Sequence, residues 1–315
     1  MLVTGGTGSF GNKLVEIMLE RYRPRRLAVF SRDELKQSEM QTRFDHPSLR
    51  YFIGDVRDRE RLERAMHGVD LVFHAAALKQ IPACEYNPFE AIQTNVMGAK
   101  NVIDAAIDQG VKRVVAISTD KAVAPTNLYG ATKLCAEKLI VQGNVYVGER
   151  DTRLSVVRYG NVIGSRGSVI PLFAAQRASG TVTVTDPGMT RFWIRLADGV
   201  EFAIRCAAAM RGGEIFVPKI PSMRVTDLVQ AVAPGCAVEV IGIRPGEKLH
   251  EVLLSEDESR QARELDDMFV IEPVAPSWPF AGWEGGKRPA PGFRYSSEAN
   301  TWWLSGEEMR RLVDG

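Results

Sequence analysis

Ser118-Thr119-Asp120-Lys121 is followed, eight residues after the lysine, by Tyr129-Gly130-Ala131-Thr132-Lys133. Tyr129 and Lys133 are one helical turn apart and on a helix would share a face. An ammonium beside a phenol favours the phenolate, drawing a tyrosine pKa down from about 10 and making a usable base. By itself Tyr-x-x-x-Lys equally describes an exposed helical pair. Asp120 and Lys121 add a second couple: a neutral lysine in a poorly solvated site takes a proton from carbon, and a protonated aspartate gives one to a departing hydroxyl. The set suits oxidation of a secondary hydroxyl to a ketone, which acidifies the neighbouring C–H, followed by loss of water.

These residues need a strand end and a helix start. Arg113–Ile117 is a short β-branched run, and Leu128, Leu134, Ala136 and Leu139 predict a helix behind it, so the quartet falls where a buried strand opens into a loop. Open α/β sheets put their chemistry there. Upstream, Leu2-Val3-Thr4 runs into Gly5-Gly6-Thr7-Gly8-Ser9-Phe10-Gly11, and Leu14, Val15, Met18, Leu19 and Tyr22 mark the helix that follows. Gly5, Gly8 and Gly11 after a strand and opening a helix supply a tight turn, close backbone approach to a pyrophosphate and a helix N-terminus facing the anion. The first strand reads as clipped at Met1.

The second strand, Leu27–Phe30, ends in Ser31-Arg32-Asp33 with Lys36 behind. A hydroxyl and a guanidinium there suit a 2′-phosphate and point to NADP, although Arg32 and Lys36 also fit a solvated loop. Tyr51–Asp55 is a third strand, with Val56 next and Asp55 and Asp58 placed to accept from an adenine or to cap the helix Arg59–Met66. Asp70–Ala77 is the fourth, closing on Ala75, Ala76 and Ala77, small enough for a flat cofactor, with Lys79 beyond. Helix from Asn87-Pro88 to Ile107, strand Val114–Ile117 and strand Leu154–Val157 continue the alternation that marks a doubly wound parallel α/β sheet.

Forty basic and thirty-nine acidic residues in 315 leave a net charge of +1, which favours neither nucleic acid nor a membrane surface as partner. Cys84, Cys135, Cys206 and Cys236 lie far apart, the four histidines show no ligand spacing, and no apolar run approaches a bilayer span. The expectation is a cytoplasmic protein with reduced cysteines and no metal. Arg158–Val169, Thr190–Trp193 and Arg244–Lys248 each carry arginine with polar or glycine neighbours, so a second, phosphate-bearing ligand is expected. Residues 1–162 read as the cofactor domain, with 214–218 as a segment that could return to it, and 163–315 as a smaller substrate domain. The Pro- and Gly-rich stretch 275–292 reads as an extended connector.

Gly5–Gly11, Thr119-Asp120-Lys121, Tyr129/Lys133 and the loops Arg158–Val162, Met189–Trp193 and Arg244–Lys248 together resemble the extended short-chain dehydrogenase/reductase superfamily. Within it, Ser31–Gln37, Ala75–Lys79, Ile243–Glu251 and Phe293–Ser297 resemble the inverting UDP-N-acetylglucosamine 4,6-dehydratases of pseudaminic acid biosynthesis. The resemblance implies NADP as a retained cofactor and UDP-N-acetylglucosamine as substrate. It implies that Tyr129 and Lys133 oxidise C4, Thr119 binds the C4 oxygen, Lys121 removes the C5 proton and Asp120 assists loss of the C6 hydroxyl. It places Gly5, Thr7, Gly8, Ser9, Phe10, Gly11, Ser31, Arg32, Lys36, Asp55, Val56, Ala75–Ala77 and Lys79 at the cofactor. Lys79, Tyr159, Asn161, Arg166, Ser168, Thr190, Arg191, Arg244 and Glu247 fall to the substrate. The related dTDP-glucose dehydratases carry Asp-Glu where this chain has Asp120-Lys121. Membrane-anchored relatives add spanning helices and tend to replace the tyrosine. A C4 epimerase needs the tyrosine and lysine but has no use for Asp120-Lys121, a retaining dehydratase shares nearly every residue, and a nucleotide sensor would be expected to have lost one of Asp120, Tyr129 or Lys133. A homo-oligomer is expected, paired through helices around Val96–Ile107 and Leu134–Val141.

Overall fold

The computed structural model describes residues 1–165 and 169–314. Six parallel strands form the body of one sheet: β1 Leu2–Thr4, β2 Leu27–Ser31, β3 Leu49–Ile53, β4 Leu71–His74, β5 Arg113–Thr119 and β6 Arg153–Tyr159. The chain then leaves for β7 Asn161–Ile163, β8 Thr181–Val184 and β9 Thr190–Arg195, and returns as β10 Ile215–Pro218 beside β6. It leaves again through β11 Ser222–Arg224, β12 Ala237–Val240 and β13 Val252–Leu254. Antiparallel β14 Ala262–Glu264 and β15 Met268–Ile271 finish the sheet, and β16 Tyr295–Ser296 pairs with β13.

The resulting order is β14-β15-β10-β6-β5-β4-β1-β2-β3. Consecutive strands β1, β2 and β3 proceed one way from β1, whereas β4, β5 and β6 proceed the other. The strand order therefore reverses between β1 and β4, which opens a crevice outside their carboxyl ends. Val3, Val29, Phe73 and Val115 in one register row and Leu2, Ala28, Val72 and Val114 in the next are at most 7% exposed, so the sheet is buried on both faces and its strands need continuous rather than alternating apolar runs. A second apolar cluster, including Phe173, Val182, Trp193, Met223, Leu228 and Met309, forms under β8, β9 and β11.

Two expectations change. Ala75–Ala77 lie beyond β4 in a loop whose backbone borders the crevice, because β4 ends at His74. The Pro- and Gly-rich stretch is strapped to the sheet rather than merely connecting: Trp278 Nε1 donates to the Gly212 carbonyl (3.2 Å), Trp283 Nε1 to buried Glu214 (3.1 Å), and Lys287 exchanges backbone hydrogen bonds with edge residue Glu264. An open sheet edge needs such cover. No helix among the described residues is long and apolar enough to cross a membrane.

Candidate active site

The glycine turn is made by contact as well as by conformation. Gly5 has φ +65°, and a Cβ there would lie 2.8 Å from the Ala76 backbone, so glycine lets the ends of β1 and β4 meet. A Cβ on Gly11 would lie 2.1 Å from the Gly6 carbonyl oxygen. Gly11 thus packs the helix Ser9–Ile17 onto the turn, and its own atoms do not border the crevice. Gly5, Thr7, Gly8, Ser9, Phe10, Ser31, Arg32, Lys36, Asp55, Val56, Ala75, Ala76, Ala77 and Lys79 all border one cleft of ≈ 1170 Å³.

At the end of β2, Ser31 Oγ lies 2.7 Å from Thr7 Oγ1, and Arg32 projects beside it, 3.5 Å from Asp55. Asp33 caps the next helix by accepting from the Lys36 N–H (3.0 Å), and its carboxylate pairs with the Lys36 ammonium. Asp58 caps the helix Arg59–Met66, which leaves Asp55 to the cleft, where Arg57 grips it at 2.8 and 3.0 Å. Burial works against the Asp55 carboxylate, yet Arg57 and Arg32 hold its pKa below the usual range.

Thr119 closes β5, Asp120–Ala122 make one tight turn, and the helix Leu128–Gln142 starts at Asn127, whose side chain accepts from the Gly130 N–H (2.8 Å). A Cβ on Gly130 would lie 2.2 Å from the Lys121 carbonyl oxygen, so this glycine lets the helix carrying Tyr129 and Lys133 abut the Asp120-Lys121 turn. Thr119 Oγ1 donates to Asp120 Oδ1 (2.8 Å), and Lys121 Nζ donates to the same oxygen (3.0 Å). Asp120 is 1% exposed. Thr119, Lys121, Tyr129 and Lys133 border the cleft, with Asp120 directly behind them.

The electrostatics differ from the sequence expectation in two respects. Burial pushes Tyr129 up to about 12, and the cation that opposes the rise is Lys121 rather than Lys133. Lys133 turns its ammonium to the Ile117 carbonyl (2.6 Å), and burial pushes it down to about 8 against the pull of Glu137. Lys121 is not held neutral. Burial favours the amine, but Asp120 at 3.0 Å and Glu251 at 3.4 Å outweigh it and raise the lysine pKa.

On the substrate side, Lys79, Tyr159, Asn161, Arg191, Arg244 and Glu247 face the same cleft, and Asn161 Oδ1 accepts from Lys121 Nζ at 3.4 Å. Arg166 and Ser168 lie outside the described residues. Thr190 does not reach the cleft; it is 3% exposed, bonded to His250 Nδ1 (2.9 Å) and Ser297 Oγ (2.6 Å) behind it. Arg158 offers no anion site either. It is fully buried, clamped by Glu137 at 2.6 and 3.0 Å, by Glu258 at 2.9 and 3.1 Å and by the Leu253 carbonyl at 3.0 Å.

The structure draws further residues to the site that the sequence did not place there individually. Asn95 accepts from the Leu78 N–H (2.8 Å), donates to the Leu78 carbonyl (2.9 Å) and to Thr132 (3.0 Å), tying the Ala75–Lys79 loop to the Tyr129 helix. Glu251 and Lys248 come to Lys121 from more than 120 residues away. Their signal was a charged run, Arg244–Glu251, whose members could not be placed individually.

Residues 1–273 match the model of the polysaccharide biosynthesis protein family. The chain is 50% identical to a Campylobacter jejuni protein named UDP-N-acetylglucosamine 4,6-dehydratase (inverting), covering 100% of this chain and 97% of that one. It is 42% identical to a Rickettsia canadensis protein named UDP-glucose 4-epimerase, over 99% of this chain and 94% of the other. Among solved structures, Pen from Bacillus thuringiensis superposes with a TM-score of 0.89 at 42% identity, covering 99% of this chain and 96% of that one. The Thermus thermophilus UDP-glucose 4-epimerase complex with NAD gives 0.66 at 25%, covering 78% and 86%. The chain therefore belongs to the polysaccharide biosynthesis family of extended short-chain dehydrogenase/reductases, the group that includes the inverting 4,6-dehydratase of Campylobacter jejuni.

Proposed function

We propose that the protein is a UDP-N-acetylglucosamine 4,6-dehydratase that inverts C5 and retains NADP through the reaction. The observation that carries this reading is the Asp120–Lys121 pair, joined at 3.0 Å and set against Tyr129 in the dinucleotide cleft. The 50% relative named as such a dehydratase supports it over the epimerase named at 42%, because epimerisation leaves that pair without a task.

The cleft fits a dinucleotide. Gly5 and Gly8 leave the backbone bare beside a helix N-terminus, and Ala75–Ala77 offer a flat wall. Arg32 and Lys36 border its far end, while the carboxylate of Asp33 is engaged in capping, an arrangement that favours a 2′-phosphate over a bare ribose. When bound, the nicotinamide supplies reversible oxidation of a sugar carbinol.

Tyr129 and Thr119 meet the C4 hydroxyl, and Tyr129 takes its proton in the phenolate form, which the Lys121 cation favours against burial, as a carbonyl forms. The ketone acidifies the C5 proton. The lysine reaches its basic form through Asp120: a proton passing from Lys121 Nζ to Asp120 Oδ1 along their hydrogen bond leaves an amine and a carboxylic acid with no net charge moved. The amine accepts the C5 proton, the acid protonates the leaving C6 hydroxyl, and water departs. The two electrons taken at C4 would return to C6 from the reduced nicotinamide as a proton reaches C5 on the opposite face, giving the C6 methyl group and the inverted centre. Arg191, Arg244 and Lys248 border the cleft as partners for a diphosphate. A homo-oligomer is part of the proposal, although its support moves: Val102, Ile103, Ile107, Ile140 and Val141 are buried in the chain's own core, whereas Tyr86 and Phe89 are 87% and 79% exposed.

Proton NMR of the purified protein with UDP-N-acetylglucosamine in deuterated water, without added cofactor, tests the reading. A new C6 methyl signal, deuterium at C5 and couplings of the L-arabino ketosugar are expected. UDP-N-acetylgalactosamine with C6 intact means a C4 epimerase.

A further inference from the structure

We propose that Glu251 is a positioning residue whose carboxylate keeps the proton shared by Asp120 and Lys121 bound in a pocket crowded by cations. The inference rests on the dehydratase reading, in which that one proton is passed between nitrogen and oxygen.

Glu251 precedes β13 and is 2% exposed. Its Oε1 lies 3.4 Å from Lys121 Nζ, against 3.0 Å for Asp120 Oδ1, so one ammonium sits between two carboxylates. Arg191 Nε lies 3.8 Å from the same oxygen, and Lys248 Nζ lies 4.0 Å from the other. Oε2 is buried with no hydrogen-bond partner among the described residues, as is Oδ2 of Asp120. Leaving a buried carboxylate oxygen without a hydrogen bond is costly, so the group is not there for packing alone. Its backbone is pinned on both sides: the Glu251 N–H donates to Ser297 Oγ (2.9 Å), and the Ser297 N–H donates to the Glu251 carbonyl (2.8 Å). The main chain that carries the carboxylate is therefore fixed beside the lysine.

The surroundings explain the need. Arg191, Lys248 and Lys79 reach the pair from three separate segments, and Tyr129 faces it from its helix. Cations gathered for an anionic substrate drive a neighbouring proton off. One aspartate facing three cations would leave the pair poorly protonated, with nothing for the departing hydroxyl. A second buried carboxylate restores the balance while remaining outside the proton's path between Lys121 and Asp120.

The test uses the full chain with lysines labelled at 13Cε, the Lys121 resonance being identified by its loss in Lys121→Arg. In the wild type it stays at the ammonium position up to pH 10.5. In Glu251→Gln its midpoint falls by at least one pH unit, a tenfold or greater change in the ammonium-to-amine ratio. The alkaline limb of kcat for UDP-N-acetylglucosamine falls with it, and Glu251→Asp, which keeps the charge, restores both. Glu251→Ala carries the same expectation as the Gln variant, so a folding failure of one leaves the other. An unmoved Lys121 resonance overturns the proposal, as does a moved resonance with an unmoved kcat limb. A wild type inert toward the sugar nucleotide overturns the dehydratase reading, and the resonance still decides whether Glu251 holds the proton.

Discussion

Replacing Arg158 with methionine is the sharpest test of how the site is held. The guanidinium is fully buried, donates to both oxygens of Glu137 at 2.6 and 3.0 Å, and joins β6 to the helix that bears Tyr129 and Lys133. Methionine is of similar length, so little cavity forms. What remains is Glu137, 2% exposed, facing an apolar side chain. Removing one partner of a buried pair costs about 3–5 kcal/mol, because the other charge is left without compensation. With an unfolding entropy of about 2.1 cal/mol/K per residue, 315 residues give about 0.66 kcal/mol/K, so Tm falls by about 5–8 °C. The double variant Glu137→Met with Arg158→Met removes both charges and should recover most of the loss, since apolar replacement of a whole buried pair is often neutral or stabilising. Glu258 is partly solvated and keeps its cap on Ser255, so it tolerates the change. Differential scanning calorimetry of the single and double variants closes the cycle. A single variant within about 1 °C of wild type, or a double variant worse than the single, would refute the idea that charge rather than packing makes Arg158 necessary.

Further outcomes follow from the same geometry. Tyr129→Phe should slow C4 oxidation about 10²–10⁴-fold, whereas Lys121→Ala should still oxidise C4 yet fail to lose water; single-turnover absorbance at 340 nm and the C6 methyl signal separate the two. Gly5→Ala forces a side chain into φ +65° and to within 2.8 Å of the Ala76 backbone, so NADPH affinity measured by fluorescence titration should drop at least about tenfold. His74 is held neutral by burial and by nearby Lys133, which push its pKa down to about 3 from 6.5. The unfolded chain therefore binds a proton that the folded one refuses, and stability falls as pH drops below 6.5 until about 3. Urea melts at pH 7 and pH 5 should differ by up to about 2 kcal/mol from this group, a difference that His74→Asn removes.

Much of the fold and part of the site follow from local sequence. Gly5, Gly8 and Gly11 between a strand and a helix, Tyr129 and Lys133 one turn apart, and Asp120-Lys121 at a strand end are read from neighbours a few residues away, because turn geometry and helical pitch are short-range properties. Tertiary structure decided what those residues carry. The Lys121 pKa is raised by Asp120 beside it and further by Glu251, which arrives from the segment before β13, Tyr129 is a weak acid because the helix buries it, and Arg158 is structural because Glu137 and Glu258 close on it from both sides. Thr190 and Arg191 are neighbours on β9, and Arg158 lies in an arginine-bearing segment that looks alike in sequence, yet only Arg191 of the three borders the cleft. The physical reason is one of range. Backbone conformation depends on adjacent residues, whereas protonation and exposure depend on desolvation and on charges within a few ångströms in space, which chain order does not specify.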